Sequence, residues 1–86
     1  MSARCLAAVL SERATTHGDF YEASEIAQRL ILTMERTEGW HRLQPHQQHA
    51  LLQIATKISR ILAGNPRFAD HWTDIAGYSQ LGSGVS

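Results

Sequence analysis

The stretch PHQQHALLQIATKISRILAGNP, residues 45–66, decides the fold. Pro45 stands where a first helical position tolerates proline, because an N1 amide has no acceptor within its own helix. Leu51, Ile54, Ala55, Ile58, Ile61 and Leu62 then recur at steps that mark one face of a long helix. Gly64, Asn65 and Pro66 end it. Upstream, Asp19 reads as an N-cap, with Glu22 three residues on in a capping-box-like pattern. Phe20, Ala23, Ala27, Leu30, Ile31 and Met34 follow at helical spacing, Ile26 and Leu32 widen the stripe, and Gly39 is the expected stop. A short linker, WHRLQ at 40–44, joins the two helices. Downstream, ADHWTDIAGYSQL at 69–81 reads as a further helix with Asp70 near its start. Trp72, Ile75, Ala76 and Ser79 fall on one side of it, and Asp70, Asp74 and Gly77 on another. A short helix over 3–13, capped by Ser2 and striped by Leu6, Val9 and Leu10, is expected before the break at ATTHGD, residues 14–19.

No segment alternates with period two for more than a few residues, and no Asn-Gly or Asp-Gly hairpin signal occurs. The expected fold is all-α: a short N-terminal helix, a long antiparallel helix pair and a C-terminal helix. It forms one domain over 1–81, with 82–86 as a flexible tail. The apolar stripes are wide for such short elements, so a homo-oligomeric bundle is expected to complete the core. A chain of 86 residues buries only roughly 60–65 % of the surface its unfolded form exposes, which leaves little material for a deep active site.

Eight Lys and Arg balance eight Asp and Glu, which argues against a nucleic-acid binder. Seven of the eight cations are Arg, suited to bidentate contacts with carboxylate or phosphate. The single Cys5 excludes an intramolecular disulfide and a cysteine-based zinc site, and points to the cytoplasm. No apolar run approaches a membrane span, so no membrane partner is expected, and the N-terminus does not read as a signal peptide.

Four groups of residues can carry chemistry. His17 and Gly18 lie in a turn before a helix N-terminus, where outward amides can hold a phosphate; the plainer alternative is that Asp19 caps its own helix and Gly18 permits the turn. Glu22 and Glu25, and Asp70 and Asp74, present carboxylates at helical spacing. Facing one another they can hold Mg²⁺; apart, they are a solvated face or a cap. Lys57 and Arg60 can neutralise a phosphate, or pair with Asp70 and Asp74 and staple two helices. Tyr21, Trp72 and Tyr78 can stack on a base or fill a core or interface. His46 and His49 share a helix, and His41 and His71 neighbour Trp40 and Trp72; metal ligation by His46 and His49 is one reading, but with no HExxH pattern and no Cys partner surface histidines are the plainer expectation. No Walker motif, GxGxxG or Ser/His/Asp arrangement appears.

The words ERATTHGDF, KISRILAGNP and DHWTDIAGYSQL resemble those of a small family of phage and prophage proteins with ER-x-x-THGDF, K-I-x-R-I-L-x-G-[ND]-P and DHW-x-DIAGY patterns, over roughly residues 10–81. The arrangement resembles, more distantly, the MazG-like all-α nucleoside triphosphate pyrophosphohydrolases. That resemblance implies a helical oligomer with Mg²⁺ held by Glu22, Asp70 and Asp74, and phosphate contacts from Lys57 and Arg60. It also implies a place in the cytoplasm of an infected or lysogenic bacterial host. Where the phage family tends to read Q-R-E-A-L-D-M-I, residues 47–54 here read QQHALLQI, with His49 and Leu52 in place of two acids. Losing carboxylates weakens a Mg²⁺ site more than a phosphate site. The leading expectation is therefore a protein that binds or sequesters a nucleotide, such as a host immune signal, without efficient turnover. A Mg²⁺-dependent pyrophosphohydrolase and a non-catalytic protein-interaction module are the alternatives.

Overall fold

The computed structural model describes Val9 and residues 17–84, and among these residues the fold is four helices with no strand. They are α1 (Phe20–Glu35), α2 (Glu38–His41), α3 (Pro45–Ala63) and α4 (Ala69–Ser83). The helix expected over 3–13 lies, Val9 apart, outside the described residues.

Asp19 caps α1 as expected, its Oδ1 accepting from the Tyr21 amide at 3.3 Å. The far end of α1 differs from the expectation. Gly39 is not the stop: α1 ends at Glu35, and Gly39 lies inside α2. Thr37 makes the break. Its hydroxyl donates to the Met34 carbonyl at 2.8 Å and accepts from the Trp40 amide at 3.2 Å. One side chain thus closes one helix and opens the next, which a glycine cannot do. The expected linker is consequently part helix, and Trp40 within it is buried. Its carbonyl accepts from Gln48 Nε2 at 3.0 Å, tying the connection to α3.

α3 begins at Pro45, as expected, behind a Gln44 amide that donates to Gln47 Oε1 at 2.9 Å. It is the central helix: α1 packs on it and α4 packs on it more extensively, while α1 and α4 scarcely meet. The start of α1 lies against the end of α3, where a Cβ on Gly18 would fall 2.1 Å from the Ala63 carbonyl oxygen. The expected antiparallel pair is therefore present. α4 runs antiparallel to α3 too, with Lys57 bonded to Asp74 and Ala50 against Gly82. α4 continues past Leu81 to Ser83, so residues 82 and 83 are helix rather than tail; Gly84 caps it at φ 82°. Residues 85–86 lie outside the described residues.

The buried residues are mostly small: Ala23, Ala27, Ala50, Ala55 and Ser59, with Trp40 and His71. Small contact residues bring helix axes close together. They leave the long apolar side chains on the flanks, and Leu32, Leu62, Trp72 and Leu81 are all largely exposed. The wide stripes thus flank the packed seams rather than filling a closed core.

Candidate functional site

His17 and Gly18, the Ala63–Gly64 end of the central helix, and Phe68 and His71 meet at one end of the molecule. Gly18 has φ 78°, and its backbone lies so close to Ala63 and Gly64 that neither glycine has room for a Cβ. Beside this crossing the His17 ring lies 4.7 Å from His71 and 5.9 Å from Phe68, and Phe68 lies 4.9 Å from His71. Against the expectation of a surface histidine, His71 is 1 % exposed, the deepest ring among the described residues, because it turns into the cluster with His17 and Phe68. Trp72 Nε1 donates to the Pro66 carbonyl at 2.7 Å, closing the α3–α4 loop on itself. The His17–Gly18 turn is therefore a packing joint. Its helix N-terminus is served by Asp19, the plainer of the two expectations.

Lys57 Nζ lies 2.8 Å from Asp74 Oδ2, and the Lys57 side chain is only 14 % exposed. The hydrogen bond from Lys57 holds the Asp74 carboxyl below the usual carboxylate range. Lost hydration there pulls the other way, and the charges of Lys57, His71 and Arg60 add to the lowering. Lys57 thus staples α3 to α4, as one of its two readings expected. Asp70 is exposed in the first turn of α4, where a carboxylate suits the positive end of the helix dipole.

The four acids do not converge within one copy. Glu25 pairs with Arg29 along α1, Glu22 is exposed near the start of that helix, and Asp74 is held by Lys57. Among the described residues no three of His, Cys, Asp and Glu are grouped to hold a metal ion. The donor set expected for Mg²⁺ therefore does not fit the ion in a single chain. His49 and Leu52, which stand where the resembled family has acids, are exposed and half-buried respectively. The stacking candidates are dispersed as well. Tyr21 is 81 % exposed on α1, Trp72 is held by its indole, and Tyr78 lines a mainly apolar groove of about 370 Å³ with Leu43, Ala50 and Ile54.

Arg60 keeps a place beside open space. It lines a groove of about 200 Å³ between α1 and α3, with Phe20, Ser24, Gln28, Thr56 and Ser59. The Ser59 and Thr56 hydroxyls donate to the Thr56 and Leu52 carbonyls within α3, at 2.6 Å and 3.1 Å, so their protons are engaged in the helix. Sequence reasoning reached Arg60 and missed its neighbours. A signal for them existed: Phe20, Ser24 and Gln28 follow at steps of four, as do Thr56 and Arg60, so each set shares a helix face.

No described helix is long and apolar enough to cross a membrane. No curated protein and no solved structure matches the chain. One family model matches residues 3–86, nearly the whole length. The chain therefore belongs to the DUF6378 family, a domain of unknown function.

Proposed function

We propose that the chain binds a nucleotide or a nucleotide-derived phosphate compound, without efficient turnover, as an assembly of more than one copy. The observation that carries this reading is the Arg60 groove. A guanidinium takes a phosphate through two parallel hydrogen bonds. Ser24 and Gln28 offer further donors along the same groove, and Phe20, 76 % exposed, offers an aromatic face to a base. About 200 Å³ suits a phosphate and part of a sugar, with the base resting outside. The resemblance to phage and prophage proteins and to MazG-like pyrophosphohydrolases supports the same ligand class. In an infected or lysogenic cell such a protein would hold a host nucleotide signal in the cytoplasm. Turnover is not part of the reading, because Glu22, Glu25, Asp70 and Asp74 stand apart. Mg²⁺ enters only as the counter-ion of the bound phosphates.

A second reading, a protein-interaction module with no small guest, is favoured by one observation. Lys57, the other candidate phosphate contact, is bonded to Asp74. Chromatography of the small molecules released on denaturing the purified protein separates the two. The nucleotide reading expects an intact nucleotide from the wild type and none from a folded Arg60→Ala variant. Pyrophosphate release from added nucleoside triphosphates and Mg²⁺ would overturn the absence of turnover. A protein that neither carries nor takes up any nucleotide would leave the interaction module standing.

A further inference from the structure

The groove at Arg60 has a charge that can be counted, and the count limits its guest. Among the described residues Arg60 is the one cation that lines it, and no Asp or Glu does. Lys57, three residues earlier on α3, is bonded to Asp74, so that pair brings no net charge to the neighbourhood. The charge of Arg60 also reaches Asp74, so part of its field is already answered. The helix ends add nothing. Arg60 stands in the last turn of α3, where the pole of the helix dipole is negative, and Asp19 caps the positive pole at the start of α1. The site therefore offers an anion one positive charge.

The rest of the groove is neutral. Phe20, Ser24 and Gln28 follow one face of α1 over about 12 Å, and Thr56 lines the same groove from α3. Ser24 and Gln28 can hydrogen-bond the hydroxyls of a sugar, but they cannot balance the charge of a further phosphate. At pH 7 a phosphate monoester carries about −1.5 to −2 charges, and each added phosphate brings at least one more. The acids do not gather a cation to offset it: among the described residues no three of His, Cys, Asp and Glu are grouped to hold one. A chain of phosphates would lie largely unneutralised beside Arg60, whereas a single phosphate matches the one guanidinium. We propose that the groove selects a nucleotide with one phosphate group, which Arg60 holds while the sugar lies along Ser24 and Gln28 and the base rests on Phe20. The proposal rests on the nucleotide reading above and narrows its ligand class, away from triphosphates.

Isothermal titration calorimetry of the full chain in Mg²⁺-free buffer tests it. The probes, for each common base, are the nucleoside, its 5′-monophosphate, its 3′,5′-cyclic monophosphate, its diphosphate and its triphosphate. For the base that binds, the better of the two monophosphates is expected to bind roughly tenfold or more tighter than the nucleoside, as charge-assisted bonds to a guanidinium require. The diphosphate and triphosphate are expected to bind no tighter than that monophosphate. The two monophosphates tell a terminal phosphate from a diester, and preference for either supports the proposal. Arg60→Ala is expected to remove the advantage of the monophosphate over the nucleoside. Gln28→Arg, at an exposed position, adds a second cation to the groove and is expected to move the preference to the diphosphate by about tenfold. That gain stays readable should Arg60→Ala misfold. A diphosphate or triphosphate that binds the wild type tenfold tighter than both monophosphates would overturn the proposal and leave the nucleotide reading standing. An equal affinity for nucleoside and monophosphate, or an unchanged order of ligands in Gln28→Arg, would overturn it as well. Binding of no member of the series would overturn both readings.

Discussion

The joint at Gly18 and the groove at Arg60 both sit where α1 meets α3 and are built in opposite ways. At the joint, backbone presses on backbone, His17, Phe68 and His71 cluster beside it, and neither Gly18 nor Gly64 has room for a Cβ. At the groove, Arg60 stands among short polar side chains and one exposed aromatic, with space left over. The joint supplies rigidity where three helix ends converge. The groove supplies the donors and the opening that a guest needs. Residues that make a sequence look distinctive can therefore be structural, while ordinary serines, a threonine and a glutamine form the candidate site.

The contrast is open to attack at several strengths. Gly18→Ala should have the largest effect, because it combines a strained φ with a clash against the Ala63 carbonyl. Such combinations cost roughly 2–4 kcal/mol. Urea denaturation is the measure, and a loss under about 1 kcal/mol would mean the joint yields. His71→Ala should cost about 2–3 kcal/mol, from a buried ring stripped of its contacts, and a melting curve unmoved by it would show that the ring cluster holds nothing. Gly77→Ala should work in the opposite sense. In dilute protein it raises stability by about 0.5–1 kcal/mol, since the added methyl meets open space. A fall at low concentration would mean that glycine is required within the single copy.

The smallest effect belongs to the staple. Asp74→Asn should lower the melting temperature modestly at neutral pH, as expected for a partly exposed ion pair. The Asp74 carboxyl is held below its ordinary value in the folded chain by Lys57. Its stabilisation is therefore present above the unfolded carboxylate pKa of about 3.9 and fades as pH falls through the folded value. The gap between wild type and variant should be constant from neutral pH to about 5 and close below about 4. A gap that persists unchanged in acid would show that the two side chains contribute by shape alone.

Much of the fold was legible because its punctuation is local. Asp19, Pro45 and the Gly64–Pro66 stop act through the chemistry of their own few residues, and α1, α3 and the start of α4 follow from them. Gly39 misled because glycine only permits a helix to end, whereas the hydroxyl of Thr37 compels it with two hydrogen bonds. The extra helical residues Gly82 and Ser83 depend on a neighbour 32 residues away: a Cβ on Gly82 would come within 3.0 Å of that of Ala50. The site was half legible. The sequence offered Lys57 and Arg60 as equals three residues apart, and only the crossing of α3 with α4 decides that Lys57 bonds Asp74 while Arg60 also borders the α1 groove. Spacing along each helix marked Glu22, Glu25, Asp70 and Asp74 as pairs, but whether two pairs meet is a property of the packing, and within one copy they do not.

The central claim is that a phosphate-bearing guest binds at Arg60. Thermal unfolding of wild type and Arg60→Ala against a panel of linear and cyclic nucleotides, with and without Mg²⁺, tests it most directly. A ligand at about 100 times its dissociation constant stabilises by ~2.7 kcal/mol. The account predicts a shift of that order in the wild type for at least one nucleotide, and its loss in a folded Arg60→Ala. No shift with any nucleotide, or an equal shift in both proteins, would contradict it.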